Sequence, residues 1–265
     1  MNNMKKYLLL LLALCLLAAC NRNASKLDDF SVKTLTVIDS VQFPEENLEG
    51  WELTDKAYYT MEVDEPITKN QALHDSIFAW LTKWMVEPDG NNTKSLLDII
   101  ENDKDVSLDL ENTGPGYSSE TFRKLMEVTD RYVTYSDDSY LYFGGAHGMP
   151  FYCGVTFDRI TGKRFTFNMF KTLEGLNELV EEGIIEQHFY EVTGEEDFDF
   201  HLMLQVSEDE PFPLPSTEPW IENDSIHFVY GPYEIAAFAA GMPECAFPYS
   251  VMEKYLTDEG KKFFQ

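Results

Sequence analysis

The 265-residue chain contains 47 acidic and 20 basic residues, and its formal net charge at neutral pH is −27. Such a charge repels nucleic acids and anionic membrane surfaces, so we exclude nucleic acid as a partner and expect attraction to cationic proteins or metal ions. Excess acid also keeps exported proteins soluble, so the charge alone does not choose between a binding role and simple solubility.

Residues 1–19 have the pattern of a bacterial lipoprotein signal peptide. Two lysines precede an apolar run over 7–17, and small residues stand directly before Cys20. That run has the length of a signal peptide and is short for a permanent membrane helix. Signal peptidase needs small residues before its cut, and lipidation needs a thiol directly after it. The sequence therefore predicts that Cys20 becomes the lipidated first residue of an exported protein.

The predicted mature chain has 246 residues, enough for one large domain or two small ones. Removal of two lysines leaves 18 basic and 47 acidic residues, a net charge of −29. Asn21, rather than aspartate, follows the lipidation site, which favours the outer membrane of a Gram-negative cell. Residues 20–29 are polar and without periodicity, so we interpret them as a flexible tether to the lipid.

The first half of the mature chain is predicted to form two strands followed by two helices. Alternating apolar residues predict strands over 30–43 and 57–63. Apolar residues at the helical period predict a helix that begins at Thr68, and a shorter helix covers 95–101. The turn Gly114-Pro115-Gly116 is the best internal boundary. It separates an N-terminal α+β domain, 30–113, from a C-terminal domain, 117–265.

The second half is predicted to consist mostly of strands, with one long helix. The predicted strands are 132–135, 140–143, 151–157, 164–167, 220–221, 226–230 and 245–247, and the predicted helices are 173–189 and 249–256. Asn223-Asp224 turns a hairpin, and a proline-rich loop precedes it over 211–219. Because strands and helices alternate without a regular βαβ repeat, we predict an α+β fold. It has a mostly antiparallel sheet packed with a few helices, as one unit or as two subdomains.

Two cysteines, Cys153 and Cys245, remain after the signal peptide and the lipidated residue are set aside. In an oxidising cell envelope, two such thiols can form a disulfide. Separate burial of two free thiols explains the sequence equally well. The sequence leaves both interpretations open.

A glycine-rich turn is the most unusual local feature. Gly144, Gly145 and Gly148 surround His147 and allow backbone geometry that other residues avoid. The turn either presents the histidine in a cleft for proton transfer or ligand contact, or forms a tight corner whose histidine binds only backbone. Because no partner motif accompanies it, the corner is the preferred interpretation.

Familiar catalytic and metal-binding signatures are missing from the sequence. It has no nucleophile elbow, no metalloprotease helix, no phosphate-binding glycine loop and no dinucleotide fingerprint. The histidines show no metal-ligand spacing; they are His74, His147, His188, His201 and His227. The sequence therefore predicts no cofactor and no metal site.

Three sequence blocks in the second half resemble a known family. The blocks are Gly144-Gly145-Ala146-His147; Phe157-Asp158 with Thr161-Gly162-Lys163 and Phe170; and Pro232–Ala236 with Ala239-Ala240-Gly241 and Pro248-Tyr249. They resemble the RsiV/PdaC-type extracytoplasmic domain family, which occurs in the lysozyme-binding anti-sigma factor RsiV and the peptidoglycan deacetylase PdaC. The resemblance covers about 130–260 and implies an α+β fold and, through RsiV, binding of lysozyme. More weakly, 30–110 resembles the companion domain that precedes it.

Two hypotheses for the function follow. The leading one is a lipid-anchored binding protein of the cell envelope without catalysis of its own, whose partner is lysozyme or another cationic envelope protein. Loops carried on a sheet often hold binding groups; the candidates here are Gly144, Gly145, His147, Pro211, Pro213 and Pro215. The alternative is a hydrolase of cell-wall or glycan material that uses His147 with Asp158 or Glu234 for acid–base chemistry. A carboxylate within hydrogen-bonding distance of His147 in an open cleft would favour the hydrolase.

Overall fold

The computed structural model describes residues 29–44, 55–86, 95–110, 113–190, 203–206 and 211–265. The predicted signal peptide, Cys20 and all but the last residue of the predicted tether lie outside these ranges. Within them, no helix is both long enough and apolar enough to cross a membrane.

A five-stranded sheet forms the centre of the fold. Its strands are β1 (Ser31–Gln42), β2 (Lys56–Ile67), β3 (Ser118–Val128), β4 (Tyr132–Tyr142) and β5 (Met149–Asp158), and they lie in this order across the sheet. Neighbouring strands are antiparallel except for the parallel pair β2 and β3. Because β2 pairs directly with β3, the sheet continues across the predicted boundary at 114–116.

Two helices connect β2 to β3, as a parallel pair requires. Helix α1 (Gln71–Leu81) begins after Asn70, whose side chain accepts hydrogen bonds from the N–H groups of Ala72 and Leu73. Helix α2 (Leu96–Ser107) begins with a capping box formed by Ser95 and Asp98. Their apolar faces pack on the sheet and form the first core. Its buried members include Leu73, Ile77, Trp80, Leu81, Leu96, Ile100, Val63, Val133, Tyr135, Val155 and Phe157.

A second unit covers the opposite face of the sheet. It contains α3 (Leu176–Ile184), which continues as a π-helical turn over Ile185–Phe189, and an antiparallel sheet of β6 (Trp220–Glu222), β7 (Ser225–Val229) and β8 (Glu244–Pro248). Two short helices follow, α4 (Tyr249–Met252) and α5 (Asp258–Lys261). The apolar side chains of the whole second unit form the second core, which includes Leu176, Val180, Ile184, Ile221, Phe228, Tyr230, Phe247 and Leu256.

Strands β4 and β5 are buried on both faces where the second unit covers them. Val133 and Tyr135 belong to the first core, while Thr134 donates a hydrogen bond of 2.7 Å to the carbonyl of Ile221 on the other side. On β5, Gly154 lies against the indole ring of Trp220. The second unit therefore contacts β4 through a hydrogen bond to the Ile221 carbonyl, and β5 through the Trp220 ring.

The predicted α+β class with a mostly antiparallel sheet is confirmed, but the predicted strands differ from the observed ones in three places. Strand β3 was not predicted. The predicted strands 132–135 and 140–143 are one continuous strand, β4. Residues 164–167 are not a strand, because only Arg164 bridges to β5, at Phe157, before the chain turns into a 3-10 helix over Phe167–Met169.

The suggested disulfide is absent, because Cys153 and Cys245 are both free and buried. Cys153 packs in the first core and Cys245 in the second, on opposite faces of the central sheet. The Sγ of Cys245 lies 3.8 Å from the carbonyl oxygen of Val180. Burial raises the pKa of the Cys153 thiol to about 12 and also raises that of Cys245.

Candidate functional site

The glycine-rich turn connects β4 to β5 at one end of the central sheet. Gly144 and Gly145 have φ angles of 100° and 97°, and both are exposed with open space around them. Gly148 is buried, and a Cβ at this position would overlap with the ring of Tyr140. The first two glycines thus allow the turn, and the third allows close packing beneath it.

His147 is exposed on this turn and contacts two aromatic residues of the second unit. Its Nε2 lies 3.0 Å from the hydroxyl of Tyr233, and its Nδ1 lies 3.1 Å from the carbonyl oxygen of Gly148. The imidazole stacks on Phe238 with ring centroids 3.7 Å apart and an angle of 18° between the planes. The histidine therefore joins the β4–β5 turn to the loop that follows β7.

The two carboxylates suggested for acid–base chemistry have other roles. Asp158 is at the far end of β5, about 30 Å from His147 at the usual rise of about 3.3 Å per residue. Its Oδ1 accepts hydrogen bonds from the N–H groups of Ile160 and Thr161. Among the described residues, the hydrogen-bond partners of His147 do not include a carboxylate. The arrangement lacks the acid–base pair that the hydrolase hypothesis requires.

Glu234 is a structural link between the two predicted binding loops. Its Oε2 accepts a hydrogen bond of 2.7 Å from the N–H of Gly231, and its Oε1 accepts one of 2.6 Å from the N–H of Ser216. The adjacent Tyr233 has a positive φ of 67° and contacts His147. Glu234 thus fixes the turn that presents Tyr233 and ties it to the proline-rich loop.

The proline-rich loop is bound to the body of the protein. Pro211 and Pro213 are exposed, whereas Pro215 is buried, so Pro215 is wrong as a contact residue. Phe212 belongs to the second core, and the carbonyl of Pro213 accepts a hydrogen bond of 2.6 Å from Tyr230. Part of the loop therefore packs on the protein, and Pro211 and Pro213 remain accessible to a partner.

An exposed aromatic surface surrounds the glycine-rich turn. Phe143 is 76% exposed, Tyr233 52% and Tyr140 39%. We refer to these three side chains together with His147 and Phe238 as the tip surface. Among these rings, His147, Phe238 and Tyr233 are in mutual contact, whereas Phe143 packs near Tyr117. Exposed aromatic groups around one turn are candidates for contact with another protein.

One carboxylate of β4 lies close to the tip surface. Asp138 is two residues from Tyr140 on β4, and it lies opposite Tyr152 of β5. Tyr152 senses the charge around it. Its pKa is raised, first by burial and then by the carboxylates of Glu222, Glu244 and Asp138. Asp138 thus places a carboxylate near the tip surface, which suits a cationic partner.

Sequence reasoning identified His147 but missed Tyr233 and Phe238, which come from a segment almost ninety residues away. Tyr233 belongs to the block Pro232–Ala236 that carried the family resemblance, and this was its only signal in the sequence. No group of three or more potential metal ligands occurs in the part of the chain that the structure describes.

Most of the second unit matches a family model. Residues 168–250 match DUF3298, described as a protein of unknown function. The matched segment includes Tyr233, Glu234 and Phe238. It begins after His147, so the histidine lies outside the match. The resemblance to RsiV and PdaC agrees with this match and stays a prediction. No curated protein matches the chain.

Two crystal structures of DUF3298 proteins resemble this fold. One, from Bacteroides fragilis NCTC 9343, is 14% identical with a TM-score of 0.69, and the similarity covers 90% of this chain and 98% of the other. The second, from Pseudomonas aeruginosa PAO1, is 20% identical with a TM-score of 0.58, covering 88% and 98%. At these identities the likeness concerns the fold alone.

Proposed function

We propose that this protein is a lipid-anchored binding protein of the cell envelope that captures a cationic protein on the tip surface. The observation that carries the proposal is the group of exposed aromatic side chains at the β4–β5 turn, with Phe143 and Tyr233 more than half exposed. Lysozyme is the candidate partner because the sequence resembles that of RsiV. The anchor follows from the predicted lipidation of Cys20.

Charge and aromatic contacts have separate roles in this proposal. The net charge of −29 in the predicted mature chain attracts a cationic protein and raises the encounter rate. Surface charge alone gives weak and unselective binding, whereas aromatic anchors supply most of the energy at the centre of an interface. Phe143 and Tyr233 are suited to be these anchors, and Asp138, two residues from Tyr140 on β4, to lie on the rim.

The surroundings of His147 support binding rather than hydrolysis. The imidazole is stacked on Phe238 and bonded to Tyr233, so it holds two loops together at the surface. Asp158 and Glu234 instead accept backbone hydrogen bonds elsewhere. We therefore do not propose the hydrolase alternative.

The test is a titration of the detergent-solubilised full chain with hen lysozyme at low salt and at about 0.15 M salt, where screening acts within about 8 Å. We expect saturable binding at both concentrations, weakened at least tenfold by Phe143→Ala and by Tyr233→Ala. Ile38→Ala is the control, because Ile38 is 70% exposed on β1 at the opposite edge of the sheet. Binding that disappears at the higher salt, or that all three variants leave unchanged, would refute the proposal.

A further inference from the structure

A cleft of about 520 Å³ lies between the end of α1, β5 and the residues that follow β5. This volume is in the range of small-molecule sites, about 300–1,000 Å³. The side chains that give the cleft its chemistry are Trp80, Lys83, Trp84, Arg123, Asp137 and Arg164. None of them belongs to the tip surface, so the cleft is a separate site.

Three basic side chains and two carboxylates line the cleft, which gives it a net positive charge in a strongly acidic protein. The second carboxylate, Glu218, accepts a hydrogen bond of 2.8 Å from the N–H of Phe167. Lys83 and Arg164 form no ion pair with a carboxylate in the described ranges of the chain, although acidic residues outnumber basic ones by 47 to 20. The Nζ of Lys83 lies 4.7 Å from the centre of the Trp84 ring, and the buried Nε of Arg164 has no hydrogen-bond partner. Two cations are therefore available to an anionic group.

The wall of the cleft also carries an unused acceptor. Asp137 is 8% exposed, and its Oδ2 accepts a hydrogen bond of 3.0 Å from Arg123. Its other oxygen, Oδ1, is buried without a partner. Leaving a buried polar atom unpaired is unfavourable, so such atoms call for an explanation. A ligand that donates a hydroxyl would satisfy it.

Two tryptophans supply flat apolar surfaces at the same place. Trp80 lines the cleft, and Trp84 is 84% exposed at its mouth. Trp84 has a positive φ of 73°, a backbone conformation that costs energy for a bulky residue and is concentrated at ligand-binding positions.

We propose that this cleft binds a carboxylated sugar. The carboxylate lies between Arg164 and Lys83, a ring hydroxyl donates to Asp137, and the apolar face of the sugar packs on Trp84. A simple anion such as inorganic phosphate would use the cations but leave the tryptophan ring unused. A neutral sugar would use the ring and the acceptor but leave both cations without a partner.

The experiment titrates the full chain with D-glucuronate, D-glucose and inorganic phosphate, and measures tryptophan fluorescence and heat of binding. We expect saturable binding of glucuronate in the millimolar range or tighter, at least tenfold weaker binding of glucose, and poor competition by phosphate. Trp84→Ala and Arg164→Gln should each weaken glucuronate binding at least tenfold. Trp84 is exposed, so its replacement leaves the fold intact.

Lys254→Ala is the matched control, because Lys254 lies 4.8 Å from the ring of Tyr255 in a similar cation–π pair outside the cleft. This variant should bind glucuronate as the unaltered chain does. Three results would overturn the proposal: no saturable glucuronate binding, equal affinity for glucose, or complete displacement by phosphate at a similar concentration.

Discussion

Gly154 of β5 contacts the indole ring of Trp220 from the second unit. A Cβ on Gly154 would overlap with that ring. Trp220 is 1% exposed, so its ring has no room to move aside. We expect Gly154→Ala to destabilise the fold by about 1–3 kcal/mol, as overpacking in a filled core does. Urea unfolding would measure the loss.

Gly114→Ala is the control for this prediction, because a Cβ at Gly114 meets no atom within 4 Å. If both glycine variants unfold at the same urea concentration, the close packing of Trp220 on β5 is not a source of stability.

The second prediction concerns the buried ion pair of Arg123 and Asp137. Arg123 donates to Asp137 and also to the carbonyls of Leu81 and Lys83, so it fastens the end of α1 to the sheet. We expect Arg123→Met to cost about 3–5 kcal/mol, because an unpaired carboxylate stays buried. The double variant Arg123→Met, Asp137→Leu should recover much of this loss, as measured by urea unfolding.

The cost of Arg123→Met should depend on pH. Burial raises the pKa of Asp137 above its ordinary value, even with Arg123 beside it. The folded chain therefore binds a proton at Asp137 more readily than the unfolded chain, and this contribution to stability falls as pH rises above about 3.9. We expect Arg123→Met to cost less at pH 4, where Asp137 takes up a proton, than at pH 8. Equal losses at the two pH values would contradict the assignment.

The sequence predicted most elements of this fold but missed β3. Its residues do not alternate between apolar and polar, because its basic side chains are paired with acids of neighbouring strands. Arg123 pairs with Asp137 on β4, and Lys124 pairs with Glu62 and Asp64 on β2. A strand with many charged side chains lacks the alternation of apolar and polar residues that predicts a strand. Its place in the sheet is set by ion pairs with residues distant in sequence.

The candidate sites show the same limit. His147 was accessible to sequence reasoning because glycines mark its turn, whereas its stacking partner Phe238 lies in an ordinary alanine-rich segment. In the cleft, Arg164 was assigned to a strand that does not form. The hairpin at Asn223-Asp224 is confirmed, since both residues have positive φ as a tight turn requires.

The third prediction concerns Glu234. Replacing it with glutamine exchanges one acceptor oxygen for an amide that cannot accept from the N–H of Ser216 or Gly231. We expect faster amide hydrogen exchange at one of these two positions and weaker binding at the tip surface. Glu253→Gln is the control, because Glu253 only pairs with Lys261 at the surface. Unchanged exchange at both amides would show that Glu234 does not hold the loop.

The fourth prediction concerns the two free thiols. In a Cys15→Ser, Cys20→Ser chain, Cys153 and Cys245 should both label in denaturant without reductant. In the folded chain both should label slowly at pH 8, because burial raises their pKa values and lowers the fraction of reactive thiolate. Labelling is followed by mass. Fewer than two reactive thiols in denaturant would mean that a disulfide forms in the cell.

The fifth prediction tests the lipid anchor. Cys20→Ser should leave an unprocessed precursor that migrates more slowly than the mature protein, because lipidation at this thiol precedes cleavage. Gel mobility and incorporation of a labelled fatty acid measure both steps. A processed and soluble Cys20→Ser protein would show that residues 1–19 are an ordinary secretory signal.

The two-sided burial of β4 has a consequence for how the chain is synthesised. One of its faces needs α1, which emerges from the ribosome earlier, and the other needs Ile221, which emerges almost ninety residues later. The N-terminal half therefore cannot complete its own core, and we expect no stable intermediate ending near the turn at 114–116. Folding therefore waits until the chain is nearly complete, and most of its synthesis passes without a stable core.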